Sequence, residues 1–182
     1  MSQHPRILVF EPNPESRDMI EKVLGRQCDL YFGSHPLQIF DLLEVFEPDL
    51  LILELELDGL DGFELISLVQ AQPVWRGIPI MVFSTRSDAA TQKQAYRMGA
   101  MHFQSKIGCQ PSQLFKAATM FWRLAPDHAP YKQYPIDEIE SRLDERNAAQ
   151  EPNPVLSRMM AAQSMDPSRS LVPTKRRMIA TI

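Results

Sequence analysis

Along the chain, short apolar runs alternate with longer segments of helical periodicity. Ile7-Leu8-Val9-Phe10 is a buried-strand run, and Asn13-Pro14 after it supplies a helix cap with proline at the first helical position. Met19, Ile20, Val23 and Leu24 then keep helical spacing until Gly25 stops them. Asp29-Leu30-Tyr31-Phe32 predicts a second strand, and Pro36 opens a helix whose Ile39, Phe40, Leu43 and Phe46 face one way. Leu50-Leu51-Ile52-Leu53 is apolar without a break, as a strand buried on both faces must be. The Asp-Gly pairs 58–59 and 61–62 force a turn before helix three, which spans about 63–70 and ends before Pro73. Ile78 to Phe83 predicts strand four, ending in Ser84-Thr85, and Ser87-Asp88 caps helix four. Met101-His102-Phe103-Gln104 is a weak fifth strand, and a last helix runs from about Pro111 to Leu124.

Five repeats of strand then helix imply right-handed crossovers and a parallel sheet covered on both faces, a doubly wound α/β domain over residues 5–124. Such sheets place functional groups in the crevice outside the carboxyl ends of the strands. Glu54 stands there at the end of strand three.

Beyond Leu124 the pattern changes, so residues 125–182 read as a linker and a C-terminal tail with short helices. Pro126, Pro130 and Pro135 punctuate an extended segment. Ile136, Ile139 and Leu143 then make a narrow helical stripe, with Glu138 and Arg142 as a favourable i,i+4 pair. Asn153-Pro154 starts another helix, with Val155, Leu156, Met159 and Met160 on one side, a stripe suited to adaptable partner contact as well as to packing. The tail is too short and polar for a winged helix-turn-helix, so no standard DNA-binding module is expected.

Composition narrows the class. The hydrophobic share of 44% and charged share of 23% are those of an ordinary globular protein. No run approaches the roughly 20 apolar residues of a spanning helix, and the first residues lead into a strand; a cytoplasmic, non-membrane protein is expected. Cys28 and Cys109 form no framework, and Cys28 reads as packing. The net charge of −4 argues against a generally nucleic-acid-binding surface. A glycine-rich phosphate loop, a His/Cys metal cluster and a motif-placed nucleophile are all missing from the sequence, which argues against an enzyme.

The opening Arg6-Ile7-Leu8-Val9, the pair Pro48-Asp49-Leu50 and Gly59-Leu60-Asp61-Gly62, Pro79-Ile80 before Ser84, Gly99-Ala100, and Ser105-Lys106 together resemble the receiver domain of bacterial response regulators, a flavodoxin-like fold. The resemblance covers the first two-thirds of the chain. It implies a constellation in which an acid pair binds magnesium, an aspartate accepts a phosphoryl group, a serine or threonine ends strand four and a lysine follows strand five. Magnesium wants hard oxygen ligands, and phosphoryl transfer wants positive charge about the equatorial oxygens.

Read onto this chain, Glu11 takes the first acid position and Pro12 the second, Glu54 stands at the phospho-acceptor position, and Ser84 and Lys106 match. Ile107 replaces the proline usual after the lysine, so no cis-proline turn is expected there. Pro12 offers no carboxylate, so weak or absent magnesium binding and no cofactor are expected. Glu54 carries its oxygen one methylene, about 1.5 Å, further than aspartate in a geometry sensitive to about 1 Å.

A degenerate pseudo-receiver, acting without phosphorylation as a protein-interaction adaptor, is the expectation; an unusual but working phosphoryl acceptor or phosphate sink is the alternative. Glu54 is read either as a mimic of the phosphorylated state near Lys106 and Ser84 or as half of a structural ion pair with Lys106. Asp58 and Asp61 are turn and cap residues before they are substitute acceptors. Phe103 matches the family's switch aromatic, with burial in the core as its simpler role. A partner is expected on the helix 4/strand 5/helix 5 face or on the tail, with a homodimer as one form. Helix five ends in more apolar residues than one face can bury, Phe121 and Trp122 among them, so either the tail or a partner covers the remainder.

Overall fold

The computed structural model describes residues 4–122 and 134–149, without the side chain of Trp122. The five apolar runs become the strands β1 (Arg6–Phe10), β2 (Asp29–Phe32), β3 (Leu50–Leu53), β4 (Ile80–Ser84) and β5 (His102–Ser105), all parallel in the order β2-β1-β3-β4-β5. The expected doubly wound, flavodoxin-like sheet is present. Strand four starts two residues later than its apolar run, because Pro79 has no N–H to give a ladder; its carbonyl instead accepts Leu51 N–H at 2.9 Å.

Alternation along each strand divides the core in two. Ile7, Val9, Leu50, Ile52, Met81 and Phe83 pack under α1 (Pro14–Leu24) and α5 (Pro111–Trp122). Leu8, Phe10, Leu51, Leu53, Ile80, Val82 and Phe103 face α2 (Ile39–Phe46), α3 (Gly62–Ala71) and α4 (Ala89–Met98). The helices begin where the sequence supplies caps. Asn13 accepts Ser16 N–H, Asp61 accepts Phe63 N–H, and Asp88 accepts the N–H groups of Ala90 and Thr91. Cys28 donates its thiol to Leu24 O at 2.8 Å, and burial pushes its pKa up to about 12, the behaviour of a packing residue.

A sixth helix, α6 (Ile139–Ala148), follows a short 3₁₀ turn at Ile136–Glu138 and packs on α2. The reason lies in α2, which buries Ile39, Phe40, Leu42, Leu43, Val45 and Phe46 out of eight residues. Apolar positions over so much of its circumference need a second cover besides the sheet. Ile139 and Leu143 supply it and join the α2–α3–α4 side of the core.

Charges fix the placement. Arg146 pairs with Asp41 at 3.4 Å and Glu44 at 3.1 Å, and Arg6 donates to Phe46 O at 2.9 Å and to Tyr134 O at 2.5 Å. Tyr134 thus shares Arg6 with the last residue of α2, while Arg146 pairs with acids earlier in that helix.

Of the two coverings expected for α5, the tail or a partner, the described part of the tail does not supply the first, since α6 sits on α2. Phe121 is partly buried against the α1–α5 side of the core and stacks on His102 at 5.2 Å, while Met120 stays exposed. The side chain of Trp122, residues Met159 and Met160, and the helix expected from Asn153-Pro154 fall outside the described residues.

Candidate functional site

Three strand ends converge on the site. Glu54 follows β3 and is tied to β1 by its N–H to Phe10 O at 2.9 Å; Lys106 follows β5 and is tied to β4 by its N–H to Ser84 O at 2.9 Å. Glu11 follows β1. The loop after Glu54 folds as a small antiparallel ribbon, Glu56–Leu57 against Leu60–Asp61, closed by Gly62 N–H to Leu55 O. A Cβ at Gly62 would stand 2.6 Å from Glu54 O and from Leu55 Cα, so the close approach demands glycine.

At the centre, the Lys106 ammonium lies 2.5 Å from Glu11 Oε2 and 2.5 Å from Glu54 Oε2. All three side chains are nearly withdrawn from solvent, at 10% exposure for Lys106, 1% for Glu11 and 4% for Glu54. The remaining oxygens are also engaged. Glu11 Oε1 accepts Asn13 N–H at 2.9 Å, and Glu54 Oε1 accepts Leu55 N–H at 2.6 Å and Glu56 N–H at 3.3 Å. The extra methylene lets the Glu54 carboxylate curl back onto its own loop. Phe83 places its ring 5.5 Å from the ammonium, on the buried side. Burial pushes the Glu11 carboxyl above the usual carboxylate range, against the opposing pull of Lys106 and Asn13 N–H and with the help of the neighbouring Glu54 charge.

The cavity above this triad is open and small, about 180 Å³, lined by Glu11, Pro12, Asn13, Ser16, Glu54, Glu56, Thr85 and Lys106. Ser84, matched by sequence to the strand-four switch position, does not line it. The residue is fully buried and its hydroxyl accepts Arg86 N–H at 3.1 Å; Thr85 takes the place at the rim. Sequence matching assigned the hydroxyl by position and so passed over Thr85. It passed over Arg86 too, which pairs with Asp61 at 3.7 Å and lies over the Phe63 ring, joining the loops on either side of the site. Asp61 acts as the expected cap of α3. Phe103 is buried at 7% exposure among core residues, a position that a core aromatic and an inward-turned switch aromatic share.

The donor set does not fit a hard divalent cation. Of the three carboxylates lining the cavity, Glu11 and Glu54 are committed to Lys106 and to backbone N–H groups, which leaves the exposed Glu56, and Pro12 supplies no oxygen from its side chain. Among the described residues, no cluster of three or more His, Cys, Asp or Glu has a metal-holding arrangement.

This is the topology and the strand-end geometry of a signalling receiver, and comparison with known proteins agrees. The family model of the response regulator receiver domain matches residues 7–119, and the chain belongs to that family, whose members receive signals in two-component systems. Among relatives, protein RcaC of Microchaete diplosiphon is 32% identical over 73 residues, 40% of this chain and 11% of its own length. The sensor histidine kinase TmoS of Ectopseudomonas mendocina is 32% identical over 87 residues, 48% of this chain and 9% of its own. The chain therefore spans only about a tenth of the length of these relatives.

Solved structures show the same fold. The signal receiver domain of an HD domain-containing protein from Pseudomonas fluorescens Pf-5 superposes with a TM-score of 0.62 at 20% identity, covering 69% of this chain and 100% of its own. The BeF3-activated receiver domain of Klebsiella pneumoniae RstA gives 0.60 at 24%, covering 65% and 98%. The family match ends at residue 119, so α6 lies beyond it. No helix among the described residues is long and apolar enough to cross a membrane.

Proposed function

We propose that the chain is a pseudo-receiver: a receiver domain that works without phosphorylation or magnesium, as a protein-interaction adaptor in a two-component pathway. The observation that carries this reading is the double engagement of Lys106 by Glu11 and Glu54. In the family the lysine would meet an incoming phosphoryl group, but here two carboxylates of the chain already hold it. Glu54 is held on both sides, since Oε2 faces the ammonium and Oε1 accepts two loop amides. Attack by Glu54 would have to compete with that ion pair and those hydrogen bonds in a geometry sensitive to about 1 Å.

One charge of Glu54 sits where phosphate charge would, yet it lies among Lys106, Glu11 and loop amides, with the Ser84 hydroxyl turned to Arg86 N–H. The arrangement supports a single fixed setting of the site over a switch with two. The test is incubation of the whole chain with a small acyl-phosphate donor and Mg²⁺, read by intact mass. An unchanged mass is expected, and a stoichiometric, metal-dependent phosphoryl adduct would overturn the reading in favour of a working acceptor or phosphate sink.

A further inference from the structure

Of the three crossover helices on its side of the sheet, α2, α3 and α4, the last has the thinnest buried seam. It buries only Thr91 and Ala95, against six residues for α2 and five for α3. It also covers the sheet's edge, because β5 is the last strand. Lys106 N–H bonds to β4, and successive peptides of a strand point to opposite sides, so the N–H of Phe103 faces the open edge. That N–H is taken by the Tyr96 hydroxyl of α4 at 3.2 Å. Gln104 Nε2 gives to Ser105 O on the same strand at 3.1 Å, and from the other side Gln70 Nε2 of α3 gives to Gly99 O beyond the end of α4 at 3.4 Å. An exposed edge amide needs no protein partner, since water would serve. A helix with a two-residue seam, however, gains its alignment from such a bond.

We infer that Tyr96 is a clamp: its hydroxyl closes the edge of β5 at Phe103 and ties the lightly packed α4 to that strand, holding helix and strand in one relative arrangement. The inference rests on the proposed single setting of the site and names a residue outside the site that keeps it. Loss of one hydrogen bond of this kind is a modest, local change, so the readout must be local.

The experiment is amide hydrogen exchange by NMR on the full chain and on Tyr96→Phe, which keeps the ring. The expected result is about five- to tenfold faster exchange at Phe103 and at the amides of Gln92 to Met98, with β1 and β3 unchanged. Unchanged exchange at Phe103 overturns the clamp, and so does acceleration confined to Phe103, which would make the bond an edge cap alone. Uniform acceleration in every strand also overturns it, since that reports global stability. Phosphoryl uptake by the wild-type chain, measured separately, would sink the pseudo-receiver reading without altering this comparison.

Discussion

Two buried cations, at opposite ends of the sheet, are neutralised in different ways. Lys106, at the carboxyl ends of the strands, is held by two carboxylates. Arg6, at the amino end of β1, is 7% exposed and gives its guanidinium to two carbonyls, Phe46 O and Tyr134 O, while lying 5.5 Å over the Phe46 ring. Burial lowers the Arg6 pKa, with Asp29 foremost among the acids opposing that shift. The Arg6 corner joins β1, α2 and the segment leading into α6 through dipoles and a ring, as structural cation sites can. The Lys106 site gathers two carboxylates around one ammonium in a nearly dry space, an arrangement costly as architecture.

The comparison can be broken most forcefully at Lys106. Lys106→Met leaves two buried carboxylates without their cation, and a loss of about 3–5 kcal/mol is expected near neutral pH by urea denaturation. Acidification should recover part of it by neutralising the carboxyls; a loss independent of pH would contradict the charge account. Leu143→Ala tests whether α6 belongs to the core. A loss of about 2–3 kcal/mol is expected, in the lower part of the range for such truncations because the site lies at the rim, where neighbours can close in. No measurable change would mean α6 is not held on α2.

Arg6→Met should cost about 1–3 kcal/mol, because the Phe46 and Tyr134 carbonyls lose their donor. Here the cost should vary little between pH 5 and 8, in contrast to Lys106→Met. The smallest effect concerns Glu11. Its folded pKa is raised by burial, so the native state keeps a proton that the unfolded chain has released. The stability this group contributes is full below the unfolded carboxylate value and is lost as pH rises through the raised folded one. Glu11→Gln should change neutral-pH stability by less than about 1 kcal/mol and flatten that slope in a pH series of unfolding midpoints. An unaltered slope would remove Glu11 as its source.

Much of this was legible in the sequence because the signals are local. Uninterrupted apolar runs read as doubly buried strands, and Asn13, Asp61 and Asp88 mark helix starts through bonds to residues two or three positions on. The position of Glu54 at a strand end followed from topology, and those of Glu11 and Lys106 from the resemblance to the receiver family. What was not legible depended on side-chain direction. Whether Lys106 would face Glu54 alone or both acids, and whether Ser84 would face the cavity, depends on rotamers set by contacts distant in sequence. The stripe of α6 was readable at Ile139 and Leu143, but its docking site was not, since α5 and α2 both offered excess apolar surface. The deciding contacts, Arg6 to Tyr134 and Arg146 to Asp41, join residues more than a hundred positions apart.

The account's central claim is that Lys106 is committed to Glu11 and Glu54 and leaves no place for metal and phosphate. Titration of the ¹⁵N-labelled chain with Mg²⁺ and beryllofluoride, followed at the amides of Glu11, Glu54, Glu56, Thr85 and Lys106, tests it most directly. The account predicts no saturable shift at any of them. A saturable shift of these amides that requires both Mg²⁺ and beryllofluoride would contradict it and restore the site as a working receiver pocket.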